Sequence, residues 1–243
     1  MAPWCVLVQA PLEPHDVPRI AETVDCFINS ANNHLLTPGV SGIAGALLAV
    51  GGEALLAASD AAKAAAGGEV AVGSAVATAG GALPCGVVHA VAMAYRSHDD
   101  PQREAQGRRV LATADTVSAA LTAAILAACE QGWRTAATKI MCARAGYSIY
   151  GTEEAPLIML EAMRAAVAAL PDDCPFERLL VFVPEETLQL TGVPPYLEPV
   201  ATLSSAATPA GDALVPQEAT VGGSGTLFRR PGAPQPEPDP EPE

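Results

Sequence analysis

Apolar residues along this chain fall into short unbroken runs and longer alanine- and leucine-rich stretches, with polar or Pro/Gly breaks between them. The run Trp4-Cys5-Val6-Leu7-Val8, closed by Pro11 and Pro14, predicts a first strand. Ile20 to Thr23 predicts a short helical connection, with Asp16 as N-cap and Pro18 in its first turn. Cys26-Phe27-Ile28 is apolar without alternation, the pattern of a parallel strand covered on both faces. Residues 41–66 predict a helix that starts at the N-cap Ser41 and stops at Gly67-Gly68. Glu69 to Val76 predicts a strand followed by a turn, and Gly86 to Val91, after the Leu83-Pro84 break, a second buried strand. Beyond a polar loop from Arg96 to Arg103, the Ala/Leu/Ile content predicts a helix from Val110 to Gln131. Thr135 to Cys142 is the next strand and Ala155 to Leu170 the next helix. Arg178 to Val183 closes the sheet, Pro184 stops it, and Glu185 to Leu190 reads as a short helical end. This alternation predicts an α/β fold, a mostly parallel sheet with helices on both faces.

From Ala201 onward the composition shifts to Pro, Gly, Ala, Ser and Thr, and the chain ends in alternating Pro and carboxylate from Pro236 to Glu243. Such a segment neither pairs in a sheet nor continues a helix. Residues 201–243 are therefore expected to be a disordered, acidic, Pro-rich tail, and residues 1–200 one α/β domain.

Net charge is −14 over 243 residues. The tail supplies −4 of it: Asp212, Glu218, Glu237, Asp239, Glu241 and Glu243 against Arg229 and Arg230. The folded part is acidic too, without the basic footprint of a nucleic-acid binder, so no nucleic-acid partner is expected. The six cysteines (5, 26, 85, 129, 142 and 174) form no C-x-x-C pair. They are expected to be reduced, buried thiols of an intracellular protein, cytoplasmic with the nucleus left open, holding no metal. Met1-Ala2-Pro3-Trp4 lacks the basic start of a signal peptide. Residues 42–58 are apolar but carry glycines and Glu53, so they are expected to form a buried helix of a soluble protein without a membrane partner.

Three constellations carry chemistry. Asn29 and Asn32 follow the central apolar run, and asparagine can both donate to and accept from a ribose diol. The plainer reading is that both satisfy turn backbone. Thr37-Pro38-Gly39-Val40-Ser41-Gly42 then opens a long helix, where glycines and free N–H groups suit a diphosphate, although a loop and a helix cap would read the same way. Gly146-Tyr147-Ser148-Ile149-Tyr150-Gly151, followed by Thr152-Glu153-Glu154, is a second glycine-bounded loop before a helix, with Thr152 as an N-cap.

These elements, with Leu83-Pro84-Cys85-Gly86-Val87-Val88-His89-Ala90-Val91, resemble in their order the motifs of macrodomains, the ADP-ribose-binding family. The resemblance runs over residues 1–190 and implies a three-layer α/β/α sandwich. It implies that Asn32 faces the distal ribose while Asn29 supports the loop. Gly39, Val40, Ser41 and Gly42 would line the diphosphate. Gly146, Ser148, Ile149, Tyr150 and Gly151 would form the opposite wall, with the Tyr150 ring against the distal ribose. His89, inside an apolar strand, is read as structural.

Four departures from the family bear on function. The first loop keeps only Gly39 of the family's run of glycines, with Thr37 and Pro38 in place of others, and is one residue shorter. Gln9-Ala10-Pro11 holds no carboxylate where many members recognise adenine; Gly39-Val40-Ser41 has serine where hydrolytic members carry aspartate; Ser148 stands in place of a glycine. The resemblance implies an ADP-ribose or mono-ADP-ribosylated protein partner and no cofactor. If the chain is an enzyme, it is an ADP-ribosyl hydrolase, with Asn32 the catalytic candidate. The alternative is a degenerate macrodomain that serves as a protein-interaction module without binding nucleotide.

Overall fold

The computed structural model describes residues 5–8, 12–96, 98, 100, 102, 107–143, 147–151 and 154–183. The expected tail, the helical end after Pro184, Gln9-Ala10-Pro11, Gly146 and the Thr152 cap lie outside the described residues. In chain order the elements are β1 (Cys5–Val8), α1 (Val17–Ala21), β2 (Cys26–Asn32), α2 (Gly42–Ala65), β3 (Ala75–Thr78), β4 (Gly86–Tyr95), β5 (Arg109–Val110), α3 (Ala114–Glu130), β6 (Thr135–Lys139), α4 (Ala155–Ala169) and β7 (Arg178–Phe182). The sheet runs β1-β7-β6-β2-β4-β3, and β5 pairs with the far end of β4. Every adjacent pair along that path is parallel except β3 with β4.

Alternation along the buried strands sorts side chains to two faces. Cys26 and Ile28 of β2, with Val88 and Ala90 of β4, pack under α3 and α4 against Leu121, Ile125, Met159 and Met163. Phe27 and Val87 point the other way, toward α1 and α2, and meet Val17, Leu36, Leu47 and Leu55. The sheet is thus covered on both faces, and the fold is the expected three-layer sandwich of a mostly parallel, mixed sheet. Small alanines on α3 (Ala120, Ala124, Ala128) let this helix approach the sheet and α4 closely.

Four local expectations change. The stretch 69–76 is not strand then turn but turn then strand. Gly73 takes a positive φ, Ser74 bonds back to the Ala71 carbonyl, and β3 starts only at Ala75. The central strand runs on through Asn32, so both asparagines lie within it. The helix after Ser41 is bent at Gly52 (φ 67°, ψ −159°); it is long and apolar enough to cross a membrane by length and composition, yet only 28% of its most apolar window is buried. Finally, the thiols are not all reduced: Cys129 and Cys174 form a disulfide, while Cys26, Cys85 and Cys142 are free and buried. The two bonded residues are 45 apart in sequence and meet only where the end of α3 faces the loop before β7. No short spacing could announce that pair.

Candidate functional site

Strands β6 and β2 are parallel neighbours, with Cys26 opposite Ala136 and Phe27 opposite Ala137. The chain leaving β2 feeds α2 on one face, whereas the chain leaving β6 feeds α4 on the other. Loops that part to opposite faces from neighbouring strands leave a crevice at the carboxyl end of the sheet, the usual ligand position in open α/β sheets. The two loops singled out in the sequence are these two.

Asn29 turns away from the loops. It is buried at 4% exposure, and its amide nitrogen lies 3.4 Å from His89 Nδ1 on the adjacent strand. His89 Nε2 is 3.1 Å from the Thr78 hydroxyl, which also donates to the Val87 carbonyl. Thr78 has one proton and spends it on Val87, so Nε2 carries the imidazole hydrogen and Nδ1 accepts from Asn29. Burial pushes the His89 pKa down to about 4, which keeps the ring neutral. Asn29 is thus held by the sheet interior, not by the loop it was expected to support. His89 is fully buried and structural.

Asn32 ends β2, after a register shift between Ala31 and Asn32. Its carbonyl accepts from the His34 amide at 2.8 Å, the turn bond of the plainer reading. Its side-chain nitrogen makes no hydrogen bond among the described residues. The neighbouring Asn33, passed over in the sequence, is buried at 3% exposure and clamps Tyr95, donating to its carbonyl (3.1 Å) and accepting from its amide (2.7 Å). That clamp prolongs the β2–β4 pairing past the backbone ladder. Only the doubled Asn32-Asn33 hinted at it, because the reach of β4 to Tyr95 could not be read from sequence.

The first loop is a tight turn. Val40 N donates to Thr37 O, Pro38 occupies the second position, and Gly39 takes the positive φ (79°) that such a turn demands of its third. Ser41 is the N-cap of α2 by position but makes no capping bond with its exposed hydroxyl, and Gly42 (φ 69°) opens the helix. The first amides of α2 therefore lack a side-chain acceptor, a setting that favours an anion. Val40 lies partly buried beside the α2 core.

The second loop is pinned to the chain just after β5. Ala112 N donates to Tyr147 O, Ile149 N donates to Ala112 O, and Ala112 bridges Ser148. Ser148 donates its hydroxyl to Tyr150 O within the loop. Ile149 is 69% exposed, and Gly151 N donates to Glu154 Oε2 at the start of α4. The Tyr150 hydroxyl is the one buried side-chain nitrogen or oxygen without a partner among the described residues. Burial first, then the nearby Cys142 thiol, raise its pKa above the usual phenol value, against a smaller lowering by the Ser148 hydroxyl beside it. Cys142 itself, at a positive φ beneath this loop, lies 3.7 Å from the Ser30 hydroxyl of β2.

By chain path Asn32, Gly39, Val40, Ser41 and Gly42 lie at the end of β2 and in the loop after it, and Ser148, Ile149, Tyr150 and Gly151 in the loop after β6, both at the carboxyl end of the sheet; Asn29 lies within β2, and Gly146 is outside the described residues.

The sequence matches the family model of the Macro domain over residues 28–155. No curated protein matches it. Among solved structures, the Oceanobacillus iheyensis macrodomain with ADP is similar at 20% identity and a TM-score of 0.53, covering 76% of this chain and 87% of that one. The Trypanosoma brucei macrodomain in complex with ADP-ribose is similar at 19% identity and a TM-score of 0.52, covering 79% and 72%. At these identities the likeness is one of fold.

Proposed function

The chain belongs to the macrodomain family, and from that premise we propose that it binds ADP-ribose, free or carried on a mono-ADP-ribosylated protein, in the crevice between its two loops. The observation that carries this reading is the start of α2, which has no capping side chain, behind the Gly39 turn and on the same loop as Asn32, whose amide nitrogen makes no hydrogen bond among the described residues. Backbone N–H groups there suit the diphosphate, and Asn32 suits a ribose diol. Similar folds have been seen with ADP and ADP-ribose, which supports the ligand class.

Affinity in this reading is mid-micromolar or weaker. The adenine carboxylate common in the family is missing at Gln9-Ala10-Pro11, and a lost charged hydrogen bond costs about 1.5–3 kcal/mol, one to two decades. Calorimetric titration of the full chain with ADP-ribose tests it. If millimolar ligand gives neither heat nor chemical-shift change, the reading fails in favour of a macrodomain kept as an interaction module. Ser148 is the residue that favours that second reading, because its side chain occupies a position where the family has none.

Hydrolysis, if it accompanies binding, would depend on Asn32 and Tyr150 positioning the sugar, since Ser41 is a poor general base without a partner. Ser41→Ala should then change release of ADP-ribose little, and Ser41→Asp should raise it. A rate that collapses in Ser41→Ala would assign Ser41 a catalytic role and sink this account.

A further inference from the structure

At the end of the sheet opposite the crevice, Asp25 precedes β2, Gly86 begins β4 and Trp133 precedes β6. A groove of about 450 Å³ opens there, lined by these three with Glu22, Pro84 and Cys85 among others. Its walls rest on two close approaches. A Cβ at Gly86 would collide with the six-membered ring of Trp133, and one at Gly80 with the Cys85 carbonyl. Only glycine lets the indole and the 80–85 turn close on the strand. Trp133 packs one side against the α3–α4 core and stays half-buried. Val24 and Cys85, buried in the α1–α2 core, give the groove apolar surface as well.

The charge around this groove is negative. Glu22 is exposed at the C-cap of α1, where a helix dipole disfavours an anion, and it makes no hydrogen bond or ion pair among the described residues. Asp25 accepts from the Arg134 and Thr135 amides, groups that carry no net charge. The Arg134 guanidinium pairs with Glu177. Two carboxylates therefore stand beside one indole with no cation left over from that pair.

We propose that this groove binds an alkylammonium ion, free or at the end of a lysine side chain. An indole is the strongest aromatic partner for a cation, and a partly desolvated site raises that attraction. Val24, Pro84 and Cys85 offer apolar contact to the methyl or methylene groups beside the nitrogen, while Glu22 supplies the opposite charge. The same carboxylates, in a chain of net charge −14, repel phosphates, so the groove does not duplicate the crevice. The seven residues of β2 run between the two ends, about 20 Å at strand rise. The proposal is thus independent of the ADP-ribose reading.

The test uses the full chain with Trp4→Phe. Trp4 lies outside the described residues, and its replacement leaves Trp133 as the one tryptophan, whose emission reports on the groove. The probes are choline, its uncharged isostere 3,3-dimethylbutan-1-ol, and a capped Gly-Lys-Gly peptide trimethylated on the lysine, each against sodium chloride at equal ionic strength. Choline should shift or quench Trp133 emission with a millimolar dissociation constant, and the alcohol should bind about tenfold more weakly. Saturation-transfer NMR on the choline methyl protons repeats the comparison with the unsubstituted chain. Glu22→Gln should weaken choline about three- to fivefold, with melting temperature and ADP-ribose titration unchanged. Trp133→Phe, read by the NMR signal, should weaken it about threefold. Whichever of choline and the peptide binds tighter names the source of the ammonium, and either order supports the site. Equal binding of choline and the alcohol would overturn the proposal, as would an unmoved emission at about 0.1 M choline. Choline affinity that survives Glu22→Gln and Trp133→Phe intact would also overturn it. Displacement of choline by ADP-ribose would overturn it too, by placing choline in the crevice, whereas ADP-ribose that fails to bind leaves the groove standing.

Discussion

The two ends of one parallel sheet treat their polar groups in opposite ways. At the amino end, just before β2, Asp25 Oδ2 accepts from the Arg134 amide and from both the amide and the hydroxyl of Thr135, at 2.8–3.0 Å. The Asp25 amide donates back to Thr135, and its carbonyl accepts from Gly86 N. Arg134 pairs with Glu177 and takes two amides on its carbonyl, while the Cys129–Cys174 bond ties the same corner. A groove of about 450 Å³ does open there, lined by Glu22, Asp25, Pro84 and Trp133 among others; the Asp25 oxygen facing the chain is already committed. At the carboxyl end, by contrast, α2 starts without a capping side chain, Ile149 stands in solvent, and the Tyr150 hydroxyl is buried without a partner among the described residues. One end uses its hydrogen bonds to hold the strands in register. The other leaves groups unsatisfied, as a binding edge must.

Acid should test the interior beneath the crevice most severely. The His89 pKa is about 4 in the fold against an ordinary 6.5, so between those values the unfolded chain binds the extra proton. This contribution to stability is complete above about pH 6.5 and falls by about 3 kcal/mol as pH drops to 4. The difference in urea-derived stability between wild type and His89→Gln should shrink by that amount over the window. Parallel curves would mean that His89 is not held neutral.

Removing Asn32 should separate the two ends. Asn32→Ala is expected to weaken ADP-ribose binding by one to two decades, about 1.4–2.8 kcal/mol. Its cost to stability should be only that of the turn bond to His34, about 0.5–1 kcal/mol. Asp25→Ala should do the reverse, lowering stability by about 1–2 kcal/mol through three lost acceptor bonds at a partly solvated site while leaving affinity unchanged. If Asp25→Ala weakened binding and Asn32→Ala did not, the division of roles would be wrong.

Tyr150→Phe removes a buried hydroxyl that has no hydrogen-bond partner among the described residues, so the apo protein should gain up to about 1 kcal/mol in thermal unfolding. A loss instead would reveal a bond made by that hydroxyl. The smallest effect is expected from deleting residues 204–243, whose Pro- and carboxylate-rich sequence offers little apolar surface to bury. The melting temperature should stay within about 1 °C, and a large fall would move the domain boundary.

The sequence by itself determined the strand–helix alternation and the two glycine-bearing loops, because periodicity and turn chemistry are local properties written in neighbouring residues. The short apolar runs at β2 and β4 read as buried strands, and the Gly39 turn could be read from its own residues. What it left open depended on partners far along the chain. Asn29 and Asn32 look alike in sequence, yet Asn29 stands opposite His89 on the neighbouring strand and bonds to it, whereas Asn32 follows a register shift and bonds its own turn. Cys129 finds Cys174 only when α3 ends beside the loop before β7, and Asn33 matters only because β4 extends to Tyr95. Turn 71–74 moved ahead of its strand because β3 had to pair antiparallel with β4 at the register Ala75–Ala90. Tertiary packing alone decides which side of a strand faces a neighbour and which distant segments meet.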